Sequence, residues 1–328
     1  MSELRWNPLL KTYTMVASNR QERPHLPENW CPFCPGEGKN VPDDYTVYKY
    51  DNDFPVLKTN PDIPEKSESS LYRTEENYGK CEVILYSPEH NKTLSELSHE
   101  HVRELIKLWK IRNDELSKDK KIKYVYPFEN RGKEVGVTMP HPHGQLYAYS
   151  WIPLKLKTEL DSSKEFFEEN KKCLMCSINE EEKNFKERIV YENNSFLVYI
   201  PFFTDYPYGA FISAKNHISN ISEFSDKETD DLADALRVLT GGFDRIFNKP
   251  FPYMMAVHQS PVNSPEYALS KEYFHFHIEF YPPLRDENKI KWYASSEMGA
   301  WAAANTVEVE CTAPVLRQKI KEFTGGDL

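Results

Sequence analysis

Between Val137 and Tyr149 the chain reads V-T-M-P-H-P-H-G-Q-L-Y-A-Y, which sets His141, His143 and Gln145 two residues apart in a strand-like segment. Alternate strand positions share a face, so the three side chains can line one site. A neutral imidazole can attack phosphorus, while a neighbouring amide donates N–H to a phosphoryl oxygen without competing as nucleophile. This spacing suits covalent capture of a phosphoryl group. With an ordinary pKa of ~6.5, histidine offers a large neutral fraction at cellular pH. Gly144 leaves room for close approach of a ligand. An isolated histidine pair on a strand would more often be a pair of ordinary hydrogen-bonding residues; the amide at Gln145 and the cysteine pattern below tip the balance toward chemistry.

The elements that must hold these residues occur twice. Cys31-Pro-Phe-Cys34 reappears as Cys173-Leu-Met-Cys176, and the segment around Phe54 reappears around Phe196. The run ending at Ser98 is echoed by the run ending at Ser225, aligning His90 with His217, and His141-Pro-His143-Gly-Gln145 aligns with His275-Phe-His277-Ile-Glu279. Each half carries one amphipathic helix: Val102, Leu105, Ile106 and Trp109 form one stripe, and Leu232, Leu236, Leu239 and Phe243 form another behind the capping box Ser225-x-x-Glu228. Strands are expected at 83–86, 124–128 and 145–149, then at 196–199, 210–212, 253–257 and 274–280. The fold class expected is therefore α+β, two tandem half-domains at 1–154 and 155–328, each a mainly antiparallel sheet with a principal helix. The charged stretch from Lys155 to Lys172 reads as a partly helical connector.

Each half supplies a Cys2His2 set suited to tetrahedral zinc. The first is Cys31, Cys34, His90 and His141; the second is Cys173, Cys176, His217 and His275. Four protein ligands leave no open coordination position, so both zinc ions are expected to be structural. Cys81 and Cys311 lack partners and read as packing residues, and His25, His99 and His101 as loop or helix-face residues.

At 328 residues with 41 Lys and Arg against 51 Asp and Glu, the formal net charge of −10 disfavours nucleic acid or an anionic membrane as partner. Without a membrane-length apolar run or a signal-peptide core at the N-terminus, the expected location is the cytoplasm.

The segment F-E-N-R-G-K-E-V-G-V-T-M-P-H-P-H-G-Q-L-Y-A-Y resembles the active-site segment of galactose-1-phosphate uridylyltransferases, a branch of the histidine-triad superfamily. The likeness spans nearly the whole chain, through Asn19-Arg20-Gln-Glu-Arg23-Pro24, Asn52-Asp53-Phe54, Ser87-Pro88-Glu89-His90, Phe280-Tyr281-Pro282-Pro283 and Lys291-Trp-Tyr-Ala-Ser-Ser-Glu297-Met298. The resemblance implies histidine-triad-like half-domains and a ping-pong exchange of UMP between UDP-glucose and galactose 1-phosphate through a uridylylated His143. It implies that a backbone carbonyl at His141 fixes the His143 tautomer. It places Arg20 and Arg23 near the nucleotide or its phosphates, Asn52, Asp53 and Phe54 near uridine, and Asn130 and Thr138 near the phosphoryl group. Lys291 and Glu297 match hexose-phosphate contacts, on a segment reaching into the neighbouring subunit of a homodimer. Better-known bacterial members bind a second metal through Glu and His residues; the matching positions here are Glu159, His258, His277 and Glu279, with a carboxylate where the family commonly has histidine. Between these and the second cysteine pair, ligand softness favours the cysteines for zinc. A nucleoside-diphosphate-sugar phosphorylase acting on adenine nucleotide would share His143 and both zinc sets, and a non-enzymatic zinc-ribbon module is the reading from a different class.

Overall fold

The computed structural model describes residues 2–18, 30–36, 39–64 and 69–326. The first half runs β1 Ser2–Asn7, β2 Thr12–Ala17, β3 Tyr48–Asp51, β4 Thr74–Glu76, β5 Gly79–Leu85, α1 His99–Leu116, β6 Tyr124–Arg131 and β7 His143–Tyr149. The second opens with α2 Leu154–Asn170, α3 Leu174–Phe185, β8 Ile189–Glu192, β9 Phe196–Tyr199, β10 Ala210–Ala214, α4 Asp226–Ile246 and β11 Tyr253–His258. It closes with α5 Ser270–Tyr273, β12 His277–Tyr281, β13 Leu284–Asp286, β14 Lys289–Ile290, α6 Ser295–Gly299 and α7 Val309–Thr324.

Nine strands form one sheet in the order β3-β5-β7-β6-β11-β12-β10-β9-β8. Read outward from the β6–β11 seam, the duplicated strands appear in the same order on both sides, and neighbouring strands run antiparallel. The α+β class and antiparallel sheet expected from the pattern are present. The two halves, however, merge edge to edge, with Met254 opposite Asn130 and Met255 opposite Glu129. The merger removes the exposed edge each half would otherwise present.

Alternation sorts the sheet's two faces. Ile84, Leu146, Ala148, Val198, Ile212, Val257 and Ile278 point to one side, where they share a core with Val102, Leu105, Ile106 and Trp109 of α1 and Leu232, Leu236, Leu239 and Phe243 of α4. The capping box at the start of α4 is formed, Ser225 N donating to Glu228 Oε2 at 3.0 Å. Helix α7 closes this layer with Ala313, Leu316 and Ile320. The other face carries Val83 and Leu85 with Phe33 and Met139, and Cys81 with Tyr147 and Tyr149.

Three local expectations need correction. The connector is not partly helical but an almost unbroken helix, α2, because Leu156 and Leu160 give it a buried stripe; it stops where Lys171 turns left-handed, φ 56°. The strand expected from Phe274 begins only at His277, since Phe274 N donates to Ser270 O at 2.7 Å and ends α5. Cys81 is buried as a packing residue, but Cys311 is exposed, on the face of α7 opposite Thr312, Ala313 and Leu316. Among the described residues no helix is long and apolar enough to cross a membrane.

Candidate active site and metal centres

The register of β7 against β5, Leu85 opposite His143 and Val83 opposite Gln145, turns both reactive side chains toward the face away from α1 and α4. His143 Nδ1 donates to the carbonyl of His141 at 2.7 Å. That bond puts the ring proton on Nδ1 and the lone pair on Nε2, the tautomer a nucleophile requires. Tyr147 Oη donates to Gln145 Oε1 at 3.3 Å, which leaves the amide N–H groups as donors toward a ligand.

Around them lies a pocket lined by Phe33, Tyr50, Asn52, Asp53, Phe54, Val83, Asn130, Thr138, Met139, His143 and Gln145. Asn52, Asp53, Phe54, Asn130 and Thr138, all expected at the site from the sequence, are thus brought together with His143 and Gln145. Asn52 Oδ1 accepts from Phe54 N at 2.9 Å, closing a side-chain turn, and Tyr50 Oη donates to Asp53 at 2.9 Å. Phe33, Tyr50 and Val83 are walls that sequence reasoning misses. Phe33 lies between the two cysteines of the first C-x-x-C motif, and its ring tilts over His143 at 5.7 Å between centroids.

Lys291 and Glu297 do not line this pocket. Lys291 Nζ donates to the carbonyl of Asp205 and lies 4.9 Å from the Tyr206 ring centroid, while Glu297 Oε2 accepts from Ala294 N at the start of α6. Arg20, Arg23 and His25 fall outside the described residues. His99 and His101 are on the first turn of α1, their Nε2 atoms bonded to Asp230 O at 2.9 Å and Tyr86 O at 2.7 Å. A larger cleft of about 710 Å³ opens elsewhere, and polar groups on its wall already serve the fold: Asn113 Nδ2 donates to Asn220 and Lys123 Nζ to Asn263 O.

The first cysteine–histidine set sits directly behind His143. Cys34 Sγ lies 3.3 Å from His90 Nδ1 and 3.6 Å from His141 Nδ1, and Cys31 Sγ lies 3.7 Å from His141 Nδ1. A tetrahedral ion with Zn–S of ~2.3 Å and Zn–N of ~2.0 Å holds sulfur and nitrogen about 3.5 Å apart, so the donors fit zinc. His141 Nε2 donates to Ser87 O at 2.7 Å, presenting Nδ1 to the cysteines, and burial pushes its pKa down to about 4, keeping the ring neutral as a ligand must be. Burial, then the neighbouring Cys31, push the Cys34 thiol up to about 11, so two adjacent thiolates need a cation.

The second set repeats this geometry. Cys176 Sγ lies 3.5 Å from His217 Nδ1 and 3.4 Å from His275 Nδ1, and Cys173 Sγ lies 3.8 Å from His275 Nδ1. His275 Nε2 donates to Ala214 O at 2.8 Å and His277 Nδ1 to His275 O at 2.9 Å, matching His141 and His143 in turn. Both His–His ring pairs stand 5.5 Å apart at 72°.

Glu159, His258, His277 and Glu279, in the sequence a rival to the second cysteine set, form a separate third cluster that shares no residue with it. His258 Nδ1 lies 2.6 Å from Glu159 Oε2, and Lys155 Nζ donates to Glu279 Oε2 at 2.5 Å. Burial opposes ionisation of Glu279, but His258, His277 and Lys155 hold its carboxyl well below the usual range. Among the described residues buried His258 Nε2 has no hydrogen-bond partner, which fits a ligand atom, while Lys155 supplies a positive charge within the chain.

Residues 1–153 match the family model for the galactose-1-phosphate uridyl transferase N-terminal domain, and residues 159–308 the model for its C-terminal domain. A galactose-1-phosphate uridylyltransferase of Thermotoga maritima is 40% identical over 319 residues, covering 97% of this chain and 98% of its own. A solved uridylyltransferase structure is similar at TM-score 0.87 with 30% identity, covering 98% of this chain and 99% of that one. An ADP-glucose phosphorylase from Arabidopsis thaliana with bound ADP-glucose is similar at TM-score 0.75 with 26% identity, covering 97% and 98%.

Proposed function

Because the chain belongs to the galactose-1-phosphate uridylyltransferase family, we propose that it moves UMP between UDP-glucose and galactose 1-phosphate through a covalent intermediate on His143. The observation that carries this reading is the His143 Nδ1 bond to the His141 carbonyl, which aims an Nε2 lone pair into a pocket walled by Asn52, Asp53, Asn130 and Gln145. Nε2 attacks the α-phosphorus of UDP-glucose; the N–P bond forms as the P–O bond to glucose 1-phosphate breaks. Galactose 1-phosphate then attacks the same phosphorus, the N–P bond breaks, and UDP-galactose leaves. Two inline displacements leave the configuration at phosphorus unchanged.

The leaving sugar phosphate is a stable anion, so a general acid is dispensable and an amide can stand at position 145. Gln145 donates to the phosphoryl oxygens where charge builds. Asn130 and Thr138 face the same group, with Asp53, oriented by Tyr50, beside the nucleoside. Arg20 and Arg23 contribute phosphate contacts by their place in the motif. A Gln145→Leu enzyme is expected to keep its fold and lose about 3 kcal/mol of transition-state stabilisation, a hundredfold or more in kcat.

The two cysteine sets hold one zinc each, both structural. Bound at the first, the ion ties the Cys31 loop, His90 and His141 into a rigid support for the nucleophile. The repeat boundaries at 1–154 and 155–328 follow the duplicated ligand order. The enzyme acts in the cytoplasm as a homodimer, in which Lys291 and Glu297 serve the neighbouring subunit's site. The exposure of Trp292, Met298 and Trp301 on the same segment supports that arrangement.

The likeness to an ADP-glucose phosphorylase makes the decisive test a substrate panel crossing UDP- and ADP-glucose with galactose 1-phosphate and inorganic phosphate. UDP-glucose with galactose 1-phosphate is expected to turn over fastest by at least tenfold. Faster turnover of ADP-glucose with phosphate would overturn the assignment.

A further inference from the structure

Strand alternation gives the reaction strands a second, hidden face. Asn130 on β6 looks into the pocket, so its neighbours Glu129 and Arg131 look the other way, toward the helices. On β7 the same rule turns Gly144 away from His143 and Gln145. A Cβ at Gly144 would collide with the Tyr86 hydroxyl, which fills the place of the missing side chain.

Behind the pocket these residues meet in one buried polar group. Glu129 Oε1 accepts from Tyr253 Oη at 3.2 Å. Among the described residues neither Glu129 Oε2 nor Tyr86 Oη, both buried, has a standard hydrogen bond, and each acts on the ionisation of the other. Arg131 and Asp244 complete the surroundings, paired at 2.9 Å, and Asp244 further accepts from Ser95 Oγ and Phe251 N. Tyr253 and Asp244 come from the second half, Tyr86, Glu129 and Arg131 from the first, so the group ties the seam of the sheet to α4. Burying such atoms unpaired is costly, and a purely apolar core would avoid that cost.

We propose that Glu129 is a positioning residue for phosphoryl transfer. Held between the hydroxyls of Tyr86 and Tyr253, its carboxyl braces from behind the two strands that present Asn130, His143 and Gln145. Burial, against the pull of Arg131 and of the Tyr253 and Tyr86 hydroxyls, raises its pKa to about 7. Tyr86 in turn presses on Gly144, between the nucleophile and the amide. The inference rests on the roles proposed for His143 and Gln145.

The test compares Glu129→Leu, Glu129→Gln and Tyr86→Phe with the parent enzyme. Two readouts are taken: steady-state UMP exchange, and the His143 ring tautomer by 15N NMR without substrate. With thermal melts showing folded protein, Glu129→Leu and Tyr86→Phe are expected to lose at least tenfold in kcat while KM for UDP-glucose stays within threefold. Both should give a mixed His143 tautomer in place of a single Nδ1–H form. Glu129→Gln, which keeps an acceptor for Tyr253 and a polar group of the same shape facing Tyr86, is expected to return kcat to within threefold of the parent. Folded Tyr86→Phe and Glu129→Leu enzymes with parental kcat and parental tautomer would overturn the proposal, as would a Glu129→Gln enzyme no better than Glu129→Leu. A parent protein that moved no nucleotide would instead overturn the reading of the site, and the tautomer comparison would still decide the role of Glu129.

Discussion

Replacing His143 with alanine is expected to lower UMP exchange by on the order of 10⁴-fold or more while leaving the melting temperature within a few degrees of the parent. The kinetic loss is large because the neighbour on the same strand face cannot take over: Gln145 is a donor, and an amide is no nucleophile toward phosphorus. Removing a nucleophile from a covalent mechanism leaves only binding and charge stabilisation, typically a small remnant of the original rate. The structural loss is small because His143 is only half-buried and lies outside both cysteine–histidine sets. Incubation of the parent with UDP-glucose labelled in its uridine should leave label on the protein that is stable in base and released by acid, as a phosphoramidate bond requires. The alanine enzyme should take up none. Full exchange activity in His143→Ala, or equal labelling of both proteins, would remove His143 from the mechanism.

Those parts of the site that are local or repeated are legible in the amino-acid sequence. His143 and Gln145 are legible because period-two spacing alone puts them on one face, and the two cysteine–histidine clusters because the same order of Cys, Cys, His and His occurs twice. The wall formed by Tyr50 and Val83 is not legible, since it depends on which strand pairs with which, and β3 meets β5 through contacts far apart in sequence. The seam between β6 and β11 is hidden for the same reason: Asn130 and Met254 carry no mark that they face one another. Helix α2 is underestimated by its sequence because the stripe started by Leu156 and Leu160 is broken at Ser163 and Lys164 before it resumes at Phe167, leaving no continuous helical pattern. The third cluster reads as a rival to the second cysteine set because the sequence brings His275, His277 and Glu279 within five residues. In space they part company: His275 precedes β12 and faces the cysteines, whereas His277 and Glu279 lie on the strand, on its pocket-like face.

Metal analysis of the purified protein is expected to give two zinc ions per chain, and the two sites should differ in what their loss does. A structural zinc contributes on the order of 10 kcal/mol of apparent binding free energy at neutral pH, part of which returns when the freed thiols take up protons. Stripping both ions should therefore cost at least ~5 kcal/mol of stability and lower the melting temperature by on the order of 10 °C. The sign with pH follows from the ligands. Both cysteines would bind zinc as thiolates, and the ion would hold the Cys34 thiol far below its raised metal-free value, so zinc-linked stability is expected at neutral pH and is lost as acid protonates the sulfurs. The ligands also separate stability from catalysis. Cys31→Ala should lose one zinc and about a hundredfold in kcat, because His141, in the ligand set proposed for that ion, also carries the carbonyl that accepts from His143 Nδ1, and a shift of ~1 Å there misplaces Nε2. Cys173→Ala should lose the other zinc and a similar share of stability but keep kcat within about threefold, since its set supports His277, which faces Glu279 rather than substrate. More than two zinc ions per chain would signal occupation of the cluster at Glu159, His258, His277 and Glu279. Equal kinetic losses from the two cysteine substitutions would sink the claim that the first ion holds the nucleophile in place, and a stably folded protein with no zinc would sink the structural role of both.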